Sequence, residues 1–439
     1  MKLKITFYGA AGEVGRSCIM VESNDTRILL DAGIKLGEHT EYPLLPDSEL
    51  ATIDGIVISH AHLDHSGYLP HIYTAGYKGY TYTIKPTFEL TNVLISDYVR
   101  ISNPENIKRE GILKMMKMHK LVDYHEEFRI KNLSIKLVPA GHILGSAMIE
   151  VNDGKHRLLY TGDVNFRTTR LLDPAYTEHL RADTLITEST YAGESDVFEG
   201  EKKTADMMVA SINDTIKQGG KAIIPAFAVG RAQETLLLLD DYMRSGILQK
   251  VPIYMDGMIG KAMRIHRHNV IYCRDELQKR ILLNDDDPFK SKNFNNVTTR
   301  QQRSRIMEGK ESSIIVTTSG MITGGPIMKY LERCGNVPQN KLIIVGYQAR
   351  GTIGRRLLEG AKEIFIDGKK VNISMTVERY HLSAHADKRQ LMSFMSRIQG
   401  LKNVFLVHGE PGKQKEFQES LKDKYNVVIP QLAGDYTVN

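Results

Sequence analysis

Residues Ser59–Gly67 read SHAHLDHSG, directly behind the apolar run IDGIVI. Three histidines and an aspartate (His60, His62, Asp64 and His65) fall within six positions. A short β-branched, apolar run that stops on polar residues reads as a buried strand delivering those residues to a site. His60 and His62 are two apart, so in extended chain both imidazoles face the same side. Asp64 and His65 follow where SGYLPHIY is expected to begin a helix, and the turn aims them at a second point. Imidazole and carboxylate are zinc ligands, about four to an ion, and a catalytic site keeps a position open for water. One loop cannot close such sites unaided, so partners must come from elsewhere. Isolated histidines such as His71, His119 and His179 read as ordinary polar residues.

The same pattern recurs along the chain. RILL ends on Asp31, KLVPAG on His142, RLLYTG on Asp163, TLIT on Glu188 and NVFLV on His408. Ligands of α/β sheets gather at the carboxyl ends of strands, so these strand ends point to one shared site. The donors then divide between two Zn2+ ions per chain. His60, His62 and His142 serve one ion, Asp64, His65 and His408 the other, and Asp163 bridges them. Each ion keeps one position, shared by a bridging hydroxide.

The middle of the chain changes character. KAIIPAFAVGRAQETLLLL, VPIYMDGMIGKAM, SSIIVTTSGMITGGPIMKYL and KLIIVGYQARGTIGRRLLEG each read as strand, glycine turn, helix. Such units in series predict a parallel sheet with helices on both faces. This α/β domain is expected over residues 193–379, inserted into a first domain made of residues 1–192 and 380–439. The 439 residues are enough for two or three domains, and 41% hydrophobic residues are enough for buried cores. No apolar stretch approaches the roughly 18–20 residues of a membrane span. Three scattered cysteines without a CxxC argue against a disulfide framework and for a reducing cytoplasm.

HAHLDH, with Asp31, His142 and Asp163 in chain order, resembles the metallo-β-lactamase superfamily. TEST with Glu188, SAHAD with His385 and LVHGE with His408 resemble the further motifs of its β-CASP nuclease group. AGEVGRSCIMVE and GYQARGTIG are similar to the endonuclease subunit of the cleavage and polyadenylation specificity factor and its archaeal and bacterial relatives. The resemblance implies a metallo-β-lactamase αββα sandwich carrying an inserted parallel-sheet β-CASP domain. It implies hydrolysis of RNA phosphodiesters by a hydroxide activated between two zinc ions, leaving 5′-phosphate and 3′-hydroxyl ends. Archaeal relatives often carry KH domains ahead of this fold; this sequence opens on its first strand and is expected to lack them.

Within that reading Asp64 accepts a proton or hydrogen bond from the attacking hydroxide. His385 is the candidate general acid for the leaving oxygen, and Glu188 fixes its tautomer and favours its charged form. Asp31 is expected to orient a ligand histidine through its other ring nitrogen.

The net charge of +6 is mild. Residues 261–310 hold 12 Lys/Arg against 6 Asp/Glu, with KAMRIHRH and TTRQQRSR the dense parts. That density suits phosphates and equally suits a solvated face. The turns SGMITGG and GYQARGTIG offer backbone N–H groups at helix starts, with Ser319, Gly320 and Arg350 as candidate substrate contacts. Neither turn is a P-loop or GxGxxG. Met115, Met116 and Met118 read as helix core or a soft packing surface.

The expected partner is single-stranded RNA, with a homodimer or a place in an RNA-processing or decay complex compatible with it, and no membrane. Both endonuclease and 5′→3′ exonuclease modes fit these motifs. Three other readings stand beside the ribonuclease: a small-molecule metallohydrolase, a DNA nuclease of the same group, and a metal-free scaffold subunit. The inserted domain argues against the first, His408 in LVHGE against the second, and the full ligand set against the third.

Overall fold

The computed structural model describes residues 3–37, 39–198 and 200–438. It divides into two compact units. One comprises the chain up to Thr168, Leu172–Val197 and Ala384 onward; the other comprises Thr169–Leu171 and Phe198–Ser383.

The first unit contains two seven-stranded sheets. Its strands are β1 (Leu3–Phe7), β2 (Ile19–Ser23), β3 (Thr26–Leu30), β4 (Gly55–Val57), β5 (Tyr80–Thr83), β6 (His119–Leu121), β7 (Glu127–Ile130), β8 (Leu133–Pro139), β9 (Ala147–Asn152), β10 (Arg157–Tyr160) and β11 (Thr184–Glu188). They are joined late in the chain by β20 (Asn403–Val407), β21 (Asn426–Val428) and β22 (Gly434–Val438). The orders are β22-β1-β2-β3-β4-β5-β6 and β21-β20-β11-β10-β9-β8-β7. Each sheet begins as antiparallel hairpins and continues as parallel strands: β3, β4, β5 and β6 in one, β10, β11, β20 and β21 in the other.

The sheets face one another, with Phe7 of β1 and Phe405 of β20 packed at 5.3 Å between ring centres. Behind the first sheet, Leu29, Ile56 and Ile58 pack on Ile72, Tyr73, Ile95 and Met115 of its helices. Behind the second, Leu159, Leu185 and Leu406 pack on Leu391, Phe394 and Phe417. The result is the αββα layering that the family resemblance implies, with two cores outside the sheets and a third between them.

The second unit is built on a six-stranded sheet in which every pairing is parallel. Its strands are β12 (Lys221–Pro225), β13 (Ile253–Asp256), β14 (Phe294–Val297), β15 (Ser313–Thr317), β16 (Lys341–Ile344) and β19 (Thr376–Arg379), in the order β14-β13-β15-β12-β16-β19. A small hairpin, β17 (Glu363–Ile366) and β18 (Lys369–Asn372), precedes the last strand. β12 and β15 are buried along their whole length, as strands covered on both faces must be.

One sequence expectation needs correcting, and two open ones are decided. The helix expected after SHAHLDH begins earlier, at Leu63–Ser66, so Asp64 and His65 lie inside it. The cause is local: His65 and Ser66 both donate backbone bonds to His62 O, at 2.9 and 3.0 Å. Of the three methionines, Met115 is core but Met116 is 44% exposed. The basic segment is also partly neutralised, because Arg267, Arg280 and Arg303 pair with Asp287, Asp286 and Asp256.

Among the described residues no helix is long and apolar enough to cross a membrane. All three cysteines are buried and unpaired.

Candidate metal centre

The parallel strands of both sheets end on chemistry. β3 pairs with β4 so that Leu30 lies opposite Val57, which brings Asp31 beside the chain running into Ser59 and His60. In the other sheet Glu188 lies opposite Val407, one residue before His408, and β10 delivers Asp163. Two of these residues turn sharply as the strand stops: Asp31 has φ +60° and His408 φ +49°. Left-handed backbone at non-glycine residues costs on the order of 1 kcal/mol and persists only where the surroundings hold it. Here Asp31 N–H donates to Val57 O at 3.0 Å and His408 N–H to Ala10 O at 2.8 Å.

The side chains converge. His60, His62, His142 and Asp163 offer ligand atoms all within 4.8 Å of one another, as do His65, Asp163 and His408, and also His60, Asp64 and His65. Asp163 is common to the first two groups, with His60 Nε2 at 3.5 Å from Oδ2 and His65 Nε2 and His408 Nδ1 each at 3.4 Å from Oδ1. Asp64 Oδ2 lies 3.3 Å from His408 Nε2.

Several imidazoles are held by the nitrogen that faces away from the centre. His142 Nδ1–H donates to Ala384 O at 2.8 Å, His65 Nδ1–H to Asp31 Oδ2 at 2.7 Å, and His60 Nδ1–H to Ser59 Oγ at 3.0 Å. His60 and His142 are thereby left presenting an Nε2 lone pair inward, and His65 is held in the same orientation, the arrangement that orients metal-bound histidines.

Asp31 is the busiest acceptor of the set. It takes Ser59 N–H at 2.6 Å, Ser59 Oγ–H at 2.7 Å and Tyr160 Oη–H at 2.7 Å besides His65.

The charge balance suits cations. Burial, reinforced by neighbouring imidazoles, holds His60 and His142 far below the usual histidine range, so both are neutral. Burial opposes charge on His65 as well, but the Asp163 and Asp31 carboxylates outweigh it and hold its pKa well above that range. Asp163 is likewise kept ionised against burial by His408 and His65.

His60 Nε2 and Asp163 Oδ1 are buried and without a hydrogen-bond partner. An unpaired acceptor in such a place is costly, and a cation at the centre would satisfy both. The donor set therefore fits a metal.

Beside this cluster His385 Nδ1 lies 3.0 and 2.9 Å from the two Glu188 oxygens, and its ring is 4.6 Å from that of His142. Burial works against a charged His385, yet Glu188 and Asp163 raise its pKa to about 9. Glu188 Oε1 also accepts from Val164 N–H at 2.7 Å, tying it to the residue after Asp163. His385 is not a helix cap: the following helix, Lys388–Met395, is capped by Asp387.

The sequence-predicted ligands His60, His62, Asp64, His65, His142, Asp163 and His408 thus lie together, with Asp31, Glu188 and His385 against them. Ser319, Gly320 and Arg350 belong to the other unit, on the turns that follow β15 and β16.

Sequence reasoning missed three contributors. Ser59 and Tyr160 brace Asp31, and nothing in their spacing marks them. The loop AAGEVGRS backs both ligand segments: Ser17 N–H donates to Asp64 O at 2.8 Å and Gly409 N–H to Glu13 O at 3.0 Å. Its neighbour Gly33 is needed for closeness, since a Cβ there would stand 1.7 Å from Asp64 O. The glycines of that loop were the available signal.

Known proteins share this plan. Residues 26–221 match the beta-lactamase superfamily domain, 232–357 the Beta-Casp domain, and 370–430 the Zn-dependent metallo-hydrolase RNA specificity domain. A protein named transcription termination factor FttA from Methanothermobacter thermautotrophicus is 38% identical over 445 residues, covering 97% of this chain and 70% of the relative. Its namesake from Methanocaldococcus jannaschii is 36% identical over 437 residues, covering 96% and 69%. That from Lokiarchaeum sp. is 34% identical over 461 residues, covering 98% and 72%. A solved structure of a protein of unknown function from Enterococcus faecalis V583 superposes with a TM-score of 0.57 at 14% identity, over all of both chains, which is a likeness of fold.

Proposed function

This chain belongs to the β-CASP group of the metallo-β-lactamase superfamily, and from that premise we propose that it is a ribonuclease using two zinc ions to hydrolyse RNA phosphodiesters. The observation that carries the reading is the juxtaposition of a double ligand cluster sharing Asp163 with a Glu188-held histidine. A lone hydrolytic metal needs no such bridging carboxylate, and a phosphodiester needs both an attacking oxygen and a protonated leaving oxygen.

When bound, the metal pair supplies Lewis acidity and lowers the pKa of water. His60, His62 and His142 would hold one ion and Asp64, His65 and His408 the other, with Asp163 available to both. Asp64 Oδ2 accepts the proton of the attacking water. His385 Nδ1–H stays on Glu188, so Nε2 is the atom that donates to the departing 3′ oxygen. The products carry a 5′-phosphate and a 3′-hydroxyl. Glu188 and Asp163 keep His385 protonated, the form a general acid needs before it donates. Asp31 keeps His65 in the tautomer that ligates through Nε2.

We take the principal mode to be endonucleolytic cleavage of single-stranded RNA, with Ser319, Gly320 and Arg350 contacting substrate. The relatives' name supports a substrate among transcripts, and a reducing cytoplasm suits three buried free thiols.

The test is incubation of the zinc-loaded chain with 5′- and 3′-labelled RNA and matched DNA, with and without chelator. Internal RNA fragments that vanish on chelation support the reading. Mononucleotides released from the 5′ end assign the exonuclease mode instead. Cleavage of DNA alone, or a chain that purifies without zinc and cuts nothing, overturns it in favour of the DNA nuclease or the scaffold.

A further inference from the structure

Asp64 and His408 stand 344 positions apart, behind β4 of one sheet and β20 of the other, yet Asp64 Oδ2 lies 3.3 Å from His408 Nε2. One segment is hydrogen-bonded to the backbones of both: the loop of residues 8–18 that joins β1 to β2. Its first limb takes the second sheet, Ala10 O accepting His408 N–H at 2.8 Å and Glu13 O accepting Gly409 N–H at 3.0 Å. Its second limb takes the first sheet: Ser17 N–H donates to Asp64 O at 2.8 Å, and Ser17 O accepts Gly33 N–H at 2.8 Å. Between Glu13 on one limb and Arg16 on the other stand Val14 and Gly15.

Local preference does not give the loop this shape. Ala10 and Arg16 have φ of +58° and +42°, a region that residues with a side chain keep only where the surroundings hold them. Arg16 does the holding. Its Nε donates to Glu13 Oε1 at 2.5 Å and its Nη2 to Glu13 Oε2 at 3.3 Å, a two-pronged contact across Val14 and Gly15, while Nη1 donates to Tyr42 O at 2.9 Å. Lys35 Nζ adds a bond to Glu13 Oε2 at 2.8 Å. Arg16 is 8% exposed, and a covered, forked guanidinium–carboxylate contact fixes geometry in a way that a solvated pair does not. The limbs also touch directly, since a Cβ on Gly9 would stand 1.7 Å from Arg16 O.

We propose that Arg16 is a positioning residue for the metal ion of Asp64 and His408: paired with Glu13, it sets the spacing of the two limbs and so of the two ligands. This rests on the two-ion reading of the cluster. Without the fork the limbs part, and the ligands follow, because each is tied to its own limb through the backbone. His60 and His142 have other anchors, Ser59 Oγ and Ala384 O, so their ion should not feel the change. Lysine does not replace the arginine, since a single ammonium is a point charge and cannot reproduce a forked carboxylate contact while also reaching Tyr42 O.

The experiment titrates the full, zinc-loaded chain with a graded chelator while the metal retained per chain is counted. Arg16→Lys keeps the charge and loses the fork; it is expected to hold one ion about tenfold more weakly and the other as the parent does. Glu13→Gln, which keeps the side-chain size, should do the same. His142→Ala strips a ligand from the other ion, so combining it with Arg16→Lys should weaken both. Two ions weakened in step by Arg16→Lys alone, as a purely structural role would produce, overturn the proposal. So do variants that weaken neither ion, or a double variant that holds its remaining ion as His142→Ala does. Thermal unfolding of the metal-free chains adds a second reading: a melting temperature that falls as far without zinc as with it assigns the pair to the β1–β2 connection alone and also overturns the proposal. A parent that binds a single ion overturns the two-ion reading itself, a result distinct from these.

Discussion

Asp31 gathers four donors on one carboxylate, and only one of them, His65, reaches the metal cluster. Tyr160 reaches Asp31 through its hydroxyl alone. Tyr160→Phe keeps the ring in the core but frees Asp31 to rotate, which loosens His65. The expected result is a roughly 10- to 100-fold weaker hold on one of two zinc ions. Competition with a graded chelator reads this directly; two ions leaving together at the wild-type concentration would contradict it. His385→Ala should behave in the opposite way. Both ions stay and kcat falls by roughly 10²–10⁴, the usual contribution of a positioned proton donor. Metal analysis paired with labelled-RNA kinetics separates the cases, and loss of zinc from that variant would make His385 a ligand instead of an acid. His385 was legible because SAHAD is a motif. Tyr160 was not, because its partner lies 129 residues away and no local spacing records that distance.

At the scale of elements, the apolar run ending on a polar residue proved the most informative signal. RILL, RLLYTG and NVFLV became β3, β10 and β20, and each ends where its ionisable residue enters the cluster. The signal works because a buried strand must shed polar groups until it reaches the surface or a site. Charge density was a poorer guide. TTRQQRSR suits phosphates and a solvated face alike, yet Arg303 in its helix, Arg300–Glu308, makes two bonds to buried Asp256, at 2.6 and 2.8 Å. Tyr330 donates to the same carboxylate at 2.8 Å. Arg303→Ala would leave a carboxylate 1% exposed without its cation and should destabilise the inserted unit by about 3 kcal/mol. Denaturant unfolding checks it; a loss under about 0.5 kcal/mol would return Arg303 to the class of exposed pairs.

At the scale of the whole molecule, each unit has its own core, and acid should separate them. His266 is fully buried in the inserted unit, its Nδ1–H on Ala262 O at 2.8 Å and its Nε2 without a partner. Burial lowers its pKa to about 4. The unfolded chain binds that proton near pH 6.5, so it takes up more protons between the two values than the folded chain does. The associated stability is complete above about pH 6.5 and is lost as pH falls toward 4, by about 3 kcal/mol in all. Hydrogen exchange of amides in 198–383 at pH 7.5 and pH 5 should show protection falling by about 2 kcal/mol, and His266→Gln should flatten that change. An unchanged slope in the variant would place the acid sensitivity elsewhere. The sequence by itself determined which ligand-type side chains stand at strand ends and that the chain alternates strands with helices, because both depend on side-chain type at short spacing. Only the tertiary structure decided which histidine Asp31 orients and which arginines are already neutralised. Those outcomes depend on contacts between elements far apart in the chain, and neither periodicity nor composition carries information about such distances.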